Sequence, residues 1–413
     1  MTARRFPLFG SMATAGLSTM AAGIAIMSLP WSYLSAGGSP AWAGVMAATL
    51  HLPVAVGLAL GGRLSDRLGP RRILIFTDAA CLALVAASLA AIAIFPAMPW
   101  LVAAIVAAAN LVSSPGNVAQ SSRVPEMARL ARMPLERANG LQEIVVQTGQ
   151  VLGPAAGVLL VEAGGLHAAL LAAAVLLSIV LIVDAALFPK FVARLRIAKS
   201  GRAPTATTLL FRDAFLRTVI VVGVFLVAIF NSLDEVLAPN LALASGVGGN
   251  ALAAFLFISG ASALASAALF TYLGHRLHPM RVFIGGVWLA AGGFILLAFL
   301  PPSIAFLAAP LFIGGGVGPL WPIVVTWIQR TIPQSARGEA IGILSGCVLL
   351  AQPLAALVAG PAVGRFGTDA LLFSITGLVI ARAILTHTLI HPLVALSRRQ
   401  AKSPTQEKPA SRD

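Results

Sequence analysis

The sequence predicts an all-α polytopic membrane protein of twelve transmembrane helices in two six-helix halves, and three observations carry that prediction. Of 413 residues, 58% are hydrophobic and 10% charged, and the mean hydropathy of +0.92 is far above what a water-exposed surface tolerates. Apolar runs of the ~20 residues needed to cross a hydrocarbon core follow one another with short polar breaks, and no period-2 alternation points to a β-barrel. The runs divide six and six about one long basic break.

The spans, numbered 1 to 12, cover roughly 9–34, 42–62, 73–95, 100–121, 138–160, 165–188, 217–237, 250–273, 281–300, 303–328, 340–361 and 370–394. Span 1 follows Arg4 and Arg5, and Ala41-Trp42-Ala43 has the form of a cleavage site. The run is too long for a secretory signal, so it is read as a retained helix. Trp31, Tyr33 and Trp42, where spans 1 and 2 meet, form an expected aromatic belt. The break at 189–216 surrounds a Pro/Thr-rich centre with Lys190, Arg194, Arg196, Lys199, Arg202 and Arg212, separating an N-terminal bundle (1–188) from a C-terminal one (217–396). Across it, Arg67-Leu68-Gly69-Pro70-Arg71-Arg72 after span 2 aligns with Arg276-Leu277-His278-Pro279-Met280-Arg281 after span 8, and Gly153-Pro154 in span 5 with Gln352-Pro353 in span 11. An internal repeat of this kind is a transporter architecture. In span 10, Gly314-Gly315-Gly316 and Gly318-Pro319 predict bending or close packing. Residues 397–413 read as a disordered cytoplasmic tail.

Charge orients the chain. The formal net charge is +14, which on a soluble protein would suggest nucleic acid. Here all 28 lysines and arginines except Arg365 and Arg382 fall at the termini or in alternate loops, the positive-inside pattern with both termini cytoplasmic, as for an inner (plasma) membrane protein. The lipid bilayer, not nucleic acid, is the expected partner. Cys81 and Cys347, isolated in apolar spans, give neither metal spacing nor a disulfide framework and are read as packing residues.

After span 2 stands Gly62-Arg63-Leu64-Ser65-Asp66-Arg67-Leu68-Gly69-Pro70-Arg71-Arg72. Gly62 and Gly69 permit close packing and a tight turn, and Asp66 can accept from arginines or a helix N-terminus. Either this loop pairs charges when the halves touch, biasing one conformation, or Arg67, Arg71 and Arg72 only anchor at headgroups. Span 5 carries Gly140, Gly149, Gly153-Pro154 and Gly157, whose four-residue spacing from Gly149 onward gives one smooth face for a close neighbour, with Pro154 bending the helix. The segment after span 2 resembles the cytoplasmic signature of the major facilitator superfamily, and span 5 resembles that of its drug:proton antiporters, with Val158 in place of the usual final Gly. Leu52-Pro53, Asp78 and Arg137-Ala138-Asn139-Gly140-Leu141 are similar to the branch of macrolide and siderophore exporters. The resemblance covers mainly the first half. It implies a major facilitator fold, two six-helix bundles about a central cavity lined by spans 1, 4, 7 and 10, with spans 2, 5, 8 and 11 at the interface between halves.

Polar groups inside spans are costly in hydrocarbon and are expected to face protein or water. Asn110, Ser114, Asn117 and Ser121 lie on one face of span 4, and Glu143, Gln147, Gln150 and Pro154 repeat that spacing on span 5. Each stripe either lines a cavity or holds the bundle together by interhelical hydrogen bonds. Asp78 and Asp184, each six residues from the basic edge, are expected to pair with cytoplasmic arginines. Arg382, near the middle of span 12, requires an acidic partner or water. His51 and His387 are expected to make satisfied hydrogen bonds rather than ligate. Asn231, Asp234 and Glu235 share one face of span 7. Seventeen residues beyond Arg217, or about 25 Å, the acids are expected near the outer end, unless the helix stops earlier and leaves them in the loop. Two adjacent carboxylates in an apolar setting resist double ionisation, making them the leading proton site, with Glu143 next.

None of the four lysines follows a glycine, so there is no Walker loop for ATP hydrolysis, and His-Glu-x-x-His, Gly-x-Ser-x-Gly and Cys-x-x-Cys are absent. The sequence thus predicts no enzyme, no cofactor and no metal. It predicts a monomeric secondary transporter exporting a small drug-like, siderophore-like or metabolite substrate in exchange for protons. The alternatives are proton-coupled uptake of a sugar or organic acid, and a non-transporting receptor or structural protein.

Overall fold

A computed structural model describes residues 6–68, 70–96, 98–187, 214–273, 276–332 and 334–402; within them, side chains are described except at 58–68, 70, 122, 136, 187, 214–219, 222, 329–330, 334–339 and 389–402. Among the described residues there are helices and turns and no strand. The helices are Phe6–Ser35 (span 1), Pro40–Leu68 (2), Pro70–Ile94 (3), Pro99–Ser122 (4), a short Val124–Leu130, Leu135–Leu187 (5 and 6), Ala214–Ser232 continuing through Leu233–Leu237 and Ala238–Ala244 (7), Gly248–Leu273 (8), Pro279–Phe299 (9), Pro302–Val317 with Leu320–Thr331 (10), Gln334–Phe366 (11) and Thr368–Lys402 (12).

Eleven of these segments are long and apolar enough to cross a membrane, and one of them, Arg137–Ala186, is 50 residues long, too long by more than twofold for one crossing. It doubles back at Gly164 and Gly165. Gly165 has φ +71°, left-handed backbone that glycine adopts without steric penalty. Thr14 on span 1 bonds Asp184, and two residues later Gly16 packs on Val145. Residues 145 and 184, nearly equidistant from the break, therefore lie at one depth on antiparallel arms. Counting both arms gives the expected twelve crossings.

The largest packings among the first six spans have counterparts among the last six: span 2 on 4 and 8 on 10, 3 on 4 and 9 on 10, 1 on 5 and 7 on 11, 3 on 6 and 9 on 12. Small residues make these approaches possible, as in lipid-embedded bundles generally. Gly23 meets Gly153 and Pro154, Gly57 meets the carbonyl of Leu111, and Gly286 meets Gly316. Span 10 breaks at Gly318-Pro319, where Gly318 lies against Ala263 and Ser266 of span 8.

The two sets of six meet through span 2 on 11 and span 5 on 8. These contacts lie toward one end of the bundle, here called distal, marked by the turns at 36–39, 164–165, 245–247, 300–301 and 367. There Gly44 packs on Gly360 and the Ala356 carbonyl, and Gly249 on Glu162. Toward the opposite, proximal end, Gly140, Gly342 and Gly346 face open space. Among the described residues, the two sets of six close on each other distally and stand apart proximally.

Several expectations change. Trp31 is buried (1% exposed) and donates Nε1–H to Glu162 Oε1 at 3.1 Å, so it belongs to the interior; Tyr33, Trp42 and Trp100 make the rim cluster. Cys81 is buried, with its thiol toward the Ala109 carbonyl, but Cys347 is exposed. Span 12 stays helical to Lys402, into the stretch read as tail; 403–413 and most of the 189–216 break lie outside the described residues.

Candidate functional site

Span 7 is where sequence and structure diverge most usefully. It does not end near residue 237 but runs on to Ala244, and a π-helical turn, Leu233–Leu237, interrupts it. Pro239 supplies the cause: its ring cannot coexist with an α-helical carbonyl four residues back, and widening the turn relieves the clash. Ala238 N–H donates to the Leu233 carbonyl, and Asn240 Nδ2 donates to the Val236 carbonyl at 2.6 Å, recovering an acceptor near the wide turn. The extension places Glu235 nine residues, or about 14 Å, from the distal end rather than at the rim.

There Glu235 Oε1 lies 2.6 Å from His51 Nε2 of span 2, with side chains 13% and 15% exposed. The imidazole expected to make an unremarkable hydrogen bond instead links span 2 to span 7. Beside it, Asp234 Oδ1 is buried without a donor among the described residues. Asn231 does not join them, since its amide donates to the Val227 carbonyl of its own helix at 2.7 Å.

A cavity of about 370 Å³ lies toward the proximal side of the first six spans. Its wall is mostly small and apolar, with Ser18, Asn110, Asn117, Gln120, Gln142 and Gln150 as polar points and Leu349 reaching in from span 11. The span 4 stripe is split. Asn110 lines the cavity while donating Nδ2–H to the Leu50 carbonyl at 2.9 Å, and Ser114 donates within the span 2 contact. The span 5 stripe is split too. Gln150 lines the cavity and Pro154 packs on Gly23, whereas Glu143 is exposed and accepts from Gln147 Nε2 at 3.0 Å.

The span 5 glycines face span 1. Gly149 abuts the Gly16 carbonyl, Gly153 the Met20 carbonyl and Gly23, and Gly157 the Ile24 carbonyl; Gly140, of the same motif, has nothing within 4 Å. In the loop motif, the side chains of Gly62, Asp66 and Arg67, and Gly69 altogether, lie outside the described residues. Arg71 reaches the Ala185 carbonyl at 3.5 Å and Arg72 is exposed.

Asp78 and Asp184 stand together on the cavity wall, close enough to act on one another, with Thr14 donating to Asp184 at 2.9 Å and Arg123 close enough to act on Asp184. Arg382 has no acid ion-paired to it among the described residues. Its guanidinium lies 5.7 Å from the centroid of Phe225 on span 7, a cation–π contact. Sequence reasoning missed Thr14, Gln120, Arg123 and the role of His51. For His51 a signal existed, since ionisable groups deep in spans are few and seek one another.

The sequence matches the Major Facilitator Superfamily over residues 11–356. The chain belongs to this superfamily. It is an integral membrane transporter, and its function is transport rather than enzymatic chemistry. Among curated relatives, the multidrug efflux pump Tap of Mycobacterium tuberculosis (strain ATCC 25618 / H37Rv) is 28% identical over 383 residues, covering 87% of this chain and 89% of Tap. Tap of Mycolicibacterium fortuitum is 26% identical over 386 residues, covering 86% and 88%. Among solved structures, the nucleoside transporter NupG superposes with a TM-score of 0.70 at 14% identity, covering 93% of this chain and 99% of that one, and a D-xylose-proton symporter with 0.69 at 15%, covering 92% and 97%. At these identities the likeness concerns the fold.

Proposed function

We propose that this superfamily member exports small drug-like molecules across the inner membrane in exchange for protons, as a monomer with both termini cytoplasmic. The relatives named multidrug efflux pumps support export over sugar or organic-acid uptake. The positive-inside bias makes the proximal end cytoplasmic, so the conformation described is inward-open. Residues 1–188 and 217–396 are read as the two rocking halves, joined by 189–216. The cavity of about 370 Å³, lined by small apolar side chains, amides, hydroxyls and the carboxyls of Asp78 and Asp184, suits an amphipathic substrate. Asn110 and Gln150 are its secondary polar contacts. The loop from Gly62 through Asp66, Arg67 and Gly69 to Arg71 and Arg72 gates it.

One observation carries the coupling: the 2.6 Å contact of His51 with Glu235 bridges the first six spans and the last six. Opening the distal end must part these groups. They are sealed from distal water in this state and reached by it in the other, so a proton they hold is exchanged with opposite sides in alternation. Asp234, buried beside Glu235, opposes a second negative charge at the same place.

A transport screen in inverted membrane vesicles tests direction and coupling together. With the vesicle interior acidified, fluorescent amphipathic dyes are expected to accumulate inside, with dissipation of the pH gradient as they enter. Dye accumulation driven only by an interior-alkaline gradient would establish uptake and overturn the export reading.

A further inference from the structure

A second group of buried titratable side chains lies away from His51 and Glu235, within the first six spans. Asp78 of span 3 is 7% exposed and Asp184 of span 6 is fully buried, and both line the cavity. The two carboxyls lie close enough to act on one another, and Oδ2 of each receives no hydrogen from any protein donor among the described residues. Two carboxylates cannot donate to one another. Buried side by side with an unpartnered oxygen each, they resist double ionisation, and one of them holds a proton.

The surrounding hydrogen bonds decide which one. Gln120 Nε2 donates both to the Ser11 carbonyl and to Thr14 Oγ1, each at 3.1 Å. Thr14 has a single hydroxyl proton and two acceptors within reach, Ser11 O at 3.0 Å and Asp184 Oδ1 at 2.9 Å. With the Ser11 carbonyl served by Gln120, the Thr14 proton goes to Asp184. Asp184 thus holds a fixed hydroxyl donor, with the Arg123 guanidinium close by. Oδ2 of Asp78 receives no donor among the described residues. The other charged groups facing the pair are Glu126 beside Arg123 and Arg71 on span 3, and Cys81 is the remaining titratable neighbour among the described residues.

We propose that Asp78 is a proton-binding site of the first half, held against ionised Asp184 and loaded and emptied through the proximal cavity, separate from the His51–Glu235 contact. Emptying breaks the Asp78 O–H bond, passes the proton to cavity water as hydronium and leaves two carboxylates facing each other. Arg123 offsets the added negative charge. The inference rests on the transport reading only for its consequence, that a cycle has a proton site inside one half as well as one between halves.

Two measurements on the full-length protein in lipid, neither needing transport, test it. Infrared difference spectra between acid and alkaline buffer are expected to show a protonated carboxyl that shifts in D2O, is lost in Asp78→Asn and persists in the Asp234→Asn, Glu235→Gln double variant. A band unchanged in Asp78→Asn overturns the assignment. Should that variant fail to fold, an apolar carbodiimide, which reacts through the acid form, is applied to the wild type and the adduct located by peptide mass mapping. Modification of Asp78 that declines as pH rises is expected, and modification of Asp184 alone, or of neither, refutes the proposal. Because the double variant removes the coupling acids, loss of the band there but not in Asp78→Asn would place the proton at span 7, whereas failure of dye transport in the vesicle screen leaves these spectra unaffected.

Discussion

Gly153 and Gly140 were read as members of one motif, and the structure gives them opposite surroundings. A methyl group on Gly153 would sit 2.7 Å from the Met20 carbonyl and 3.0 Å from Gly23 Cα, both backbone atoms that move only if spans 1 and 5 separate. Gly153→Ala is therefore expected to lower stability by about 1–3 kcal/mol, the usual cost of overpacking, in thermal unfolding of the detergent-solubilised protein. Gly140→Ala meets open space and is expected to be neutral, or to gain up to about 1 kcal/mol from helix propensity. The spacing of 149, 153 and 157 was legible as a close-packing face because helical periodicity dictates it. That Gly140 falls outside the contact was not legible, because the separation of spans at the proximal end is a tertiary fact.

Arg382 gives the second test at this scale. Had it neutralised a buried acid, removing it would cost about 3–5 kcal/mol by stranding that acid. Stacked on Phe225, it contributes about 1–2 kcal/mol, and a methionine there keeps an apolar stem and a sulfur–aromatic contact. Arg382→Met is expected to lose no more than about 2 kcal/mol and to retain transport. A larger loss in the same unfolding assay would reveal an acid paired with the guanidinium. Composition announced that this charge needed a partner; an aromatic face is a partner that no charge count exposes.

Among elements, span 7 shows how a short apolar run can mislead. Asp234 and Glu235 stop the hydropathy pattern, so the helix was expected to end just beyond them. Yet Ala238–Ala244 continues it once Pro239 is accommodated by the wide turn. Spans 5 and 8 illustrate the converse, since their contact was expected only through the family resemblance and the packing now shows it. A Cβ on Gly260 would lie 3.2 Å from Val151 Cβ, close to the 3.5–4.5 Å usual for a disulfide. With exposed Cys347 replaced by alanine, the pair Val151→Cys, Gly260→Cys is expected to cross-link on oxidation, to arrest transport while oxidised and to recover on reduction. Full transport by protein shown to be cross-linked would mean that these spans need not move apart during a cycle.

For the whole molecule, the all-helical, membrane-spanning character and the superfamily were readable, because lipid imposes span length and composition on every crossing. The proton sites were readable only as a list of costly side chains. Which of them meet depends on how the halves dock, and His51 with Glu235, or Asp78 with Asp184, are separated by long stretches of chain that no local pattern links.

Proton coupling in this transporter rests on exchange at the contact between halves. Its most direct test is flux of a transported dye in proteoliposomes with and without an imposed pH gradient, comparing the wild type with the Asp234→Asn, Glu235→Gln double variant. The wild type is expected to be accelerated by the gradient at least tenfold, the effect of about 1.4 kcal/mol of coupling, while the double variant exchanges dye at the gradient-free rate in both conditions. A double variant that the gradient still accelerates as strongly as the wild type would contradict the assignment of coupling to span 7.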